Sequence, residues 1–317
     1  MKILVAGSLA FDRIMDFSGK FSDHIIADKL KILNVCFMIN GVRENFGGTA
    51  GNIAYTLSLL DETPTLISQA GRDFEHYKYR LQSNNISTEH VKIYKEELTA
   101  GAYITTDADD NQITSFNPGA MKFPSTYDFD TLEPSKTLAI IAPGNLDDML
   151  NFSRVYKQKG IKYIFDPGQS LPAWNGENLI EMITGSFIFI SNDYELNLVL
   201  EKTGKTLADL LKLCKTVITT KSEYGSVIQT LEGDGVKTED IPIVKTTTVS
   251  DPTGAGDAYR GGLLKGLALD KNNLSFACKI GAAAASYCVE VFGPQNFKFT
   301  KEEFNKRFKQ TFQCSAY

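Results

Sequence analysis

Histidine is nearly missing from this chain, with three copies in 317 residues, and its five cysteines include no Cys-x-x-Cys pair. That scarcity excludes the usual zinc patterns, which take their ligands from closely spaced cysteines and histidines. Cys36, Cys214, Cys278, Cys288 and Cys314 are scattered and odd in number, so no disulfide framework is indicated and a reducing, cytoplasmic setting is expected. A basic excess is lacking too: 33 Lys and Arg against 38 Asp and Glu leave a net charge of −5. A surface that tracks nucleic-acid phosphates needs the opposite balance, whereas a small anionic ligand needs only a local positive site. No apolar run approaches the roughly 20 residues that cross a bilayer, so neither a nucleic acid nor a membrane is an expected partner. The apolar opening, Met1 to Gly7, is broken too early by Asp12, Arg13 and Asp16 for a secretory signal and reads as a first strand. Internal repeats, low-complexity tracts and Pro/Ser-rich linkers are all missing, which argues against freely moving domains.

What is present is enough apolar material, 43% of residues, for a large core in a single α/β domain spanning 1–317. Strand-length apolar runs at Ile3 to Ala6, Thr65 to Gln69, Leu138 to Ala142, Tyr163 to Phe165, Phe187 to Ile190 and Val217 to Thr219 alternate with helix-periodic segments. That alternation predicts a mainly parallel central sheet flanked by helices on both faces. Ligands of such sheets gather at the carboxyl ends of the strands, where Gly7 to Asp12, Asp166 to Gln169, Asn192 and Thr220 would lie. Two regions interrupt the alternation, about 13–45 and 98–118, and both carry β-forming residues. They read as hairpin-like strands, either a small separate sheet or an edge extension of the main one.

Two glycine constellations carry the chemistry. Asp251-Pro252-Thr253-Gly254-Ala255-Gly256-Asp257 runs into an apolar helix, as does Phe46-Gly47-Gly48-Thr49-Ala50-Gly51-Asn52. Backbone N–H groups of Gly254, Ala255 and Gly256 at a helix N-terminus form an anion cradle, and Asp257 beside it suits a general base for an alcohol attacking phosphorus. The plainer reading of each stretch is a glycine loop into a capped helix. Thr203-Gly204-Lys205-Thr206 looks like a phosphate-loop fragment, but Val199 stands where that loop needs glycine, so Gly204 reads as a helix end.

Together the two stretches resemble the paired signatures of the PfkB/ribokinase-like carbohydrate kinase superfamily, over nearly the whole chain. Gly7 to Met15, Thr105 to Thr114 and Phe165-Asp166-Pro167-Gly168-Gln169 are most similar to the prokaryotic adenosine and broad-specificity nucleoside kinases. The resemblance implies ATP and Mg²⁺ as cofactors, K⁺ as an optional one, and a small β lid that covers the acceptor and forms a homodimer contact. It also implies that Asp12 grips ribose hydroxyls and that Gly47, Gly48 and Asn52 make the other sugar contacts. Asn192 would lie near phosphate and Glu195 would hold hydrated Mg²⁺, although the same pair makes an N-cap and capping box. Thr219 to Gly225 is similar to the nucleotide-side T-x-G-x-x-G element, with Ser222 replacing its first glycine, so that Thr220, Lys221 and Gly225 are phosphate-side candidates. Gly293-Pro294-Gln295 resembles the loop that closes on adenine and a monovalent cation, with Asp251 and the Thr253 carbonyl as K⁺ ligands.

Phe37, Met38, Ile39, Ala102, Phe116 and Gln169 would supply an apolar sandwich with one amide to read a base edge, which favours a nucleoside acceptor. Ordinary core packing explains each of them singly as well. A ribose or fructose kinase is the alternative within enzymes. A nucleotide-sensing protein that keeps the fold without turnover is the alternative outside them.

Overall fold

The computed structural model describes residues 1–26, 31–233 and 235–316. Residues 27–30, part of the expected lid span, lie outside the described residues. The first strand, β1 (Lys2–Ala6), shows why the main sheet is covered twice. Ile3 and Val5 join one apolar cluster while Leu4 and Ala6 join another, and a strand apolar on both faces must be buried on both.

The chain continues through β2 (Ala10–Phe17), α1 (Phe21–His24), β3 (Ile39–Gly47), α2 (Thr49–Leu59), β4 (Thr65–Gly71) and α3 (Glu75–Ser83). Next come β5 (Val91–Tyr94), β6 (Ala100–Thr106), β7 (Gln112–Asn117), β8 (Thr137–Ile141), α4 (Leu146–Lys159) and β9 (Lys162–Phe165). Then follow α5 (Gly176–Ile183), β10 (Ile188–Asn192), α6 (Asp193–Thr203), α7 (Leu207–Leu213) and β11 (Thr216–Thr220). The chain closes with β12 (Ser226–Glu232), β13 (Gly235–Ile241), α8 (Ala255–Leu269), α9 (Leu274–Cys288) and α10 (Lys301–Phe312).

Among the described residues the main sheet has the order β13-β12-β11-β10-β9-β8-β1-β4-β5. It is parallel from β5 to β11, and β12 and β13 add antiparallel at one edge. The six strands predicted from apolar runs are all there; β5, β12 and β13 escaped because Val91–Tyr94 is short, β12 is buried only over its first residues and β13 is exposed along nearly all its length. One face carries α2, α3, α8, α9 and α10, and the other α4 to α7. Strand order reverses direction at β1, which lies between β4 and β8, and this is where doubly wound sheets open a ligand crevice. The loops there are stitched together: Ser8 donates its N–H to the Pro143 carbonyl at 2.9 Å, and its Oγ accepts the Thr49 N–H at 3.1 Å.

The regions that interrupt the alternation form a second sheet of order β3-β2-β6-β7, not an extension of the first. β2 and β3 pair antiparallel, as do β6 and β7, and the two hairpins join through parallel β2 and β6. This corrects the expected position of Asp12, which sits inside β2 and not on the loop after β1. The cause is a period of two in Ala10-Phe11-Asp12-Arg13-Ile14: Phe11 turns to the core, ring to ring with Tyr77 at 5.6 Å, and Asp12 takes the opposite face.

Helices α8 and α9 meet across glycine. A Cβ on Gly266 would lie 2.3 Å from the Ala277 Cα, and one on Gly262 would lie 2.6 Å from the Ile280 carbonyl oxygen. In an exposed helix interior Gly→Ala gains about 1 kcal/mol. Here Gly266→Ala is expected to lower stability by about 1–3 kcal/mol through overpacking. Urea unfolding checks the sign, and a raised midpoint would refute the close seam.

Candidate active site

Helix α8 begins at Gly254, whose φ of 79° is left-handed and whose missing side chain makes room for Pro294, 2.3 Å from where a Cβ would stand. No side chain caps this helix. The Ala255 N–H closes a turn onto the Pro252 carbonyl at 3.1 Å, so of the three residues expected to cradle an anion Ala255 is already engaged. Gly256 faces the guanidinium of Arg260, which would stand 2.9 Å from a Cβ at that position. Asp257 follows in the first turn, where the positive helix end favours an anionic partner.

Asp257 is held from across the domain. Asn52, in the first turn of α2, donates Nδ2 to Asp257 Oδ2 at 2.8 Å, so the two glycine-led helices meet at their functional residues. Burial pushes the Asp257 carboxyl up to about 7, helped by the negative charges of Asp166 and Asp12 and opposed by the Asn52 amide and Arg260. Asn52 itself is buried, and its Oδ1 accepts from Gln295 Nε2 at 3.0 Å. A sugar contact is left to its second N–H and second lone pair.

Arg260 is the cation of the site, and it lies one turn beyond Asp257. It is 6% exposed and pairs with Asp166, which is 2% exposed, through Nη2 to Oδ1 at 2.8 Å and through Nε to Oδ2. Sequence reasoning passed over Arg260, although a charge inside Ala258-Tyr259-Arg260-Gly261-Gly262-Leu263 was a usable signal: such a charge must be paired. Tyr77 and Arg80 of α3 were also missed, and a Tyr and an Arg in a helix as polar as Glu75–Ser83 give no such signal.

Asp12 faces this cluster from the small sheet. Asn45, Asp12, Ala102 and Phe116 form one cross-strand row, so they share a face. Burial raises the Asp12 carboxyl to about 6, with Asp251 adding repulsion. Gly47 is glycine because Asp12 Oδ2 lies 2.5 Å from where its Cβ would be, and Gly48, at φ 84°, abuts the backbone of Ser8 and Ala10. Within the chain both glycines are required by close contacts with the protein itself. The proposed base sandwich divides: Ala102 and half-exposed Phe116 stay with Asp12, whereas Phe37 packs with Phe17, Phe21 and His24. Met38 and Gln169 are exposed, Gln169 on the turn after β9.

At the end of β10, Asn192 caps α6 by accepting the Glu195 N–H at 2.7 Å, and Glu195 accepts the Asn192 N–H at 2.9 Å. The capping box is therefore real, and burial raises the Glu195 carboxyl against that bond. Thr220 ends β11 beside β10, and Lys221 opens an exposed turn. Ser222 adopts φ 47°, the region its missing glycine would enter freely, so the turn keeps its shape at a cost of about 1 kcal/mol. Gly225 has φ 84° and no room for a Cβ, with the Ile241 carbonyl oxygen 2.2 Å away. Burial pushes the Asp251 carboxyl up, but N–H groups of Thr253 and Gly293, each at 2.9 Å, hold it below the usual carboxylate range. Asp251 thus ties the 251–253 loop to Gly293. Gln295, on the loop expected to close on adenine, is 2% exposed and hydrogen-bonds Asn52 and Tyr77.

The raised Asp257 carboxyl has a consequence for stability. Between about pH 4 and pH 7 the native state keeps a proton that the unfolded chain has lost, so this group subtracts stability as pH rises. Asp257→Asn is expected to raise stability by about 1–3 kcal/mol at pH 8 and to lose that advantage by pH 4, where both forms are neutral. Thermal melts across that range would contradict this if the variant were less stable at pH 8.

Known proteins share this fold. The model of the pfkB family carbohydrate kinases matches residues 23–301. A nucleoside kinase of Methanocaldococcus jannaschii is 34% identical over 304 residues, covering 93% of this chain and 92% of that protein. The structure of the Burkholderia thailandensis nucleoside kinase in complex with inosine superimposes with a TM-score of 0.84 at 35% identity, covering 99% of both chains. Its complex with ADP-inosine gives 0.80 at 35% identity, covering 99% of this chain and 97% of that one. Fructokinase-2 of Oryza sativa is more distant, 26% identical over 76% of this chain and 78% of its own. Fold, paired glycine-led helices and a family match across most of the length agree: the chain belongs to the pfkB family of carbohydrate kinases.

Proposed function

We propose that this kinase transfers the γ-phosphoryl group of ATP to the 5′-hydroxyl of a ribonucleoside, adenosine first among them, giving the 5′-monophosphate and ADP. The observation that carries the reading is Asp257: a carboxylate in the first turn of a glycine-led helix, held by Asn52 and raised to about 7. A base with that proton affinity is matched to neutral pH. Asn52 occupies Oδ2, which leaves Oδ1 to take the proton of the attacking hydroxyl. The helix end and the Gly256 backbone then face the negative charge that moves with the phosphoryl group. Asp12, across the cleft, offers two oxygens to vicinal ribose hydroxyls, and Ala102 and Phe116 in its row offer an apolar wall to a base. That wall and the likeness to two nucleoside kinases favour a nucleoside over a plain sugar.

The small sheet serves as the lid, excluding water from ATP until an acceptor is seated, and its exposed outer strand β7 is the surface for a homodimer contact. Magnesium, when bound, neutralises charge on the transferring phosphates. Glu195 fits that ion through water: one oxygen is taken by Asn192, and no cluster of three acidic, Cys or His groups among the described residues would strip its hydration shell. For K⁺, Asp251 and the Thr253 carbonyl are oxygen donors of the right kind, each with a lone pair beyond its hydrogen bond. Asn192, Thr220, Lys221 and Gly225 flank the nucleotide phosphates in this reading. In this reading the enzyme serves purine salvage in the cytoplasm.

ADP release with adenosine, inosine, guanosine, cytidine, ribose and fructose tests the acceptor: nucleosides are expected to be turned over, and activity confined to free sugars would overturn the reading. In the same assay Asp257→Asn is expected to lower kcat about a hundredfold to ten-thousandfold with little change in ATP affinity, and Asp12→Ala to raise the acceptor KM. No turnover with any acceptor would favour a nucleotide sensor.

A further inference from the structure

A carboxamide has one donor end and one acceptor end, so whatever holds one end decides what the other presents. Asn52 gives Nδ2 to Asp257 Oδ2 at 2.8 Å and receives Gln295 Nε2 at Oδ1 at 3.0 Å. Gln295 Nε2 also donates to Tyr77 Oη at 2.6 Å, and that hydroxyl donates to the Gly47 carbonyl at 2.7 Å. These bonds run unbroken from the glycine loop to the carboxylate, leaving the second Asn52 N–H for a ligand and Gln295 Oε1 buried without a partner among the described residues. Tyr77 cannot easily move: it is fully buried among Phe11, Phe46 and Phe74, and a Cβ on Gly51 would stand only 2.0 Å from its hydroxyl. Gln295 is fixed at its backbone as well, because Arg80 donates to its carbonyl.

We propose that Gln295, seated by Tyr77, is a positioning residue for phosphoryl transfer, locking the Asn52 amide so that its NH₂ rather than its oxygen meets Asp257. The inference rests on the reading of Asp257 as the base. Were the amide to turn over, an oxygen would meet the carboxylate and only protonated Asp257 would be tolerated there. The surroundings make that bond decisive. Asp12 from β2 and Asp166 after β9 repel a negative Asp257, while Tyr77 from α3 and Cys288 from α9 contribute no cation. Arg260, on its own helix, is the charge that favours ionisation, and it is shared with Asp166. Without the Asn52 donor, burial and the two carboxylates would dominate and Asp257 would hold its proton to higher pH.

The test compares the wild-type chain with Gln295→Leu and with Tyr77→Phe, the second nearly isosteric and so safe for folding. For each, kcat is measured against pH with saturating ATP and nucleoside. In parallel the Asp257 carboxyl is titrated by ¹³C NMR, its signal assigned by its loss in Asp257→Asn. The expected result is an acid limb displaced upward by about one pH unit in Gln295→Leu and by less in Tyr77→Phe. Activity should be regained at high pH, and the carboxyl titration should move by the same amount. A uniform loss of kcat with neither limb nor titration moved would overturn the proposal, as would a raised KM for ATP with both unmoved, which would return Gln295 to the nucleotide. If the titration moves while Asp257→Asn keeps its turnover, the amide lock stands as a contact and the base assignment falls.

Discussion

The hydrogen bond from Asn52 Nδ2 to Asp257 Oδ2 joins residues 205 positions apart and brings together two helix N-termini that would otherwise be unrelated loops. Around it the site is arranged by constraint more than by abundance of contacts. The glycines on either side are there because something else occupies the space: Asp12 beside Gly47, the Tyr77 hydroxyl beside Gly51, Pro294 beside Gly254, Arg260 beside Gly256. A methyl group at any of these positions would push a functional side chain out of place. The paired glycine signatures are therefore a packing requirement of the protein before they are a ligand contact.

Charge is balanced sparingly. Asp12 and Asp166 both repel a charged Asp257, and Arg260, the cation that favours its ionisation, is committed to Asp166. Breaking a buried pair of that kind costs about 3–5 kcal/mol, because the survivor is left charged in a poor solvent. The result is a site that holds Asp257 and Asp12 above their ordinary proton affinities, a condition that suits chemistry and works against stability.

How much of this could be read from sequence depends on the distance over which the signal acts. The main sheet was legible because strands buried on both faces must be continuously apolar, as Ile3 to Ala6 and Leu138 to Ala142 are. Gly204 as a helix end and the Asn192–Glu195 capping box were legible because both are settled within one helical turn. Asp12 was misplaced since the turn from β1 into β2 is only Gly7 to Leu9, too short to interrupt the apolar pattern. The internal bonds of Gln295 were not legible because its partners, Asn52 and Tyr77, are more than 200 residues away, and nothing local to Gly293-Pro294-Gln295 tells which way the amide turns. Ser222 illustrates the reverse: the departure from the glycine pattern raised doubt, yet the backbone keeps the left-handed angle regardless.

A crystal structure with a nucleoside and a non-hydrolysable ATP analogue bound together tests the central claim most directly. The account predicts the 5′-oxygen within hydrogen-bond reach of Asp257 Oδ1, roughly 2.6–3.2 Å, with Oδ2 still on Asn52 and the γ-phosphate at the start of α8. A carboxylate turned away from that oxygen, with the hydroxyl held by some other residue, would contradict it.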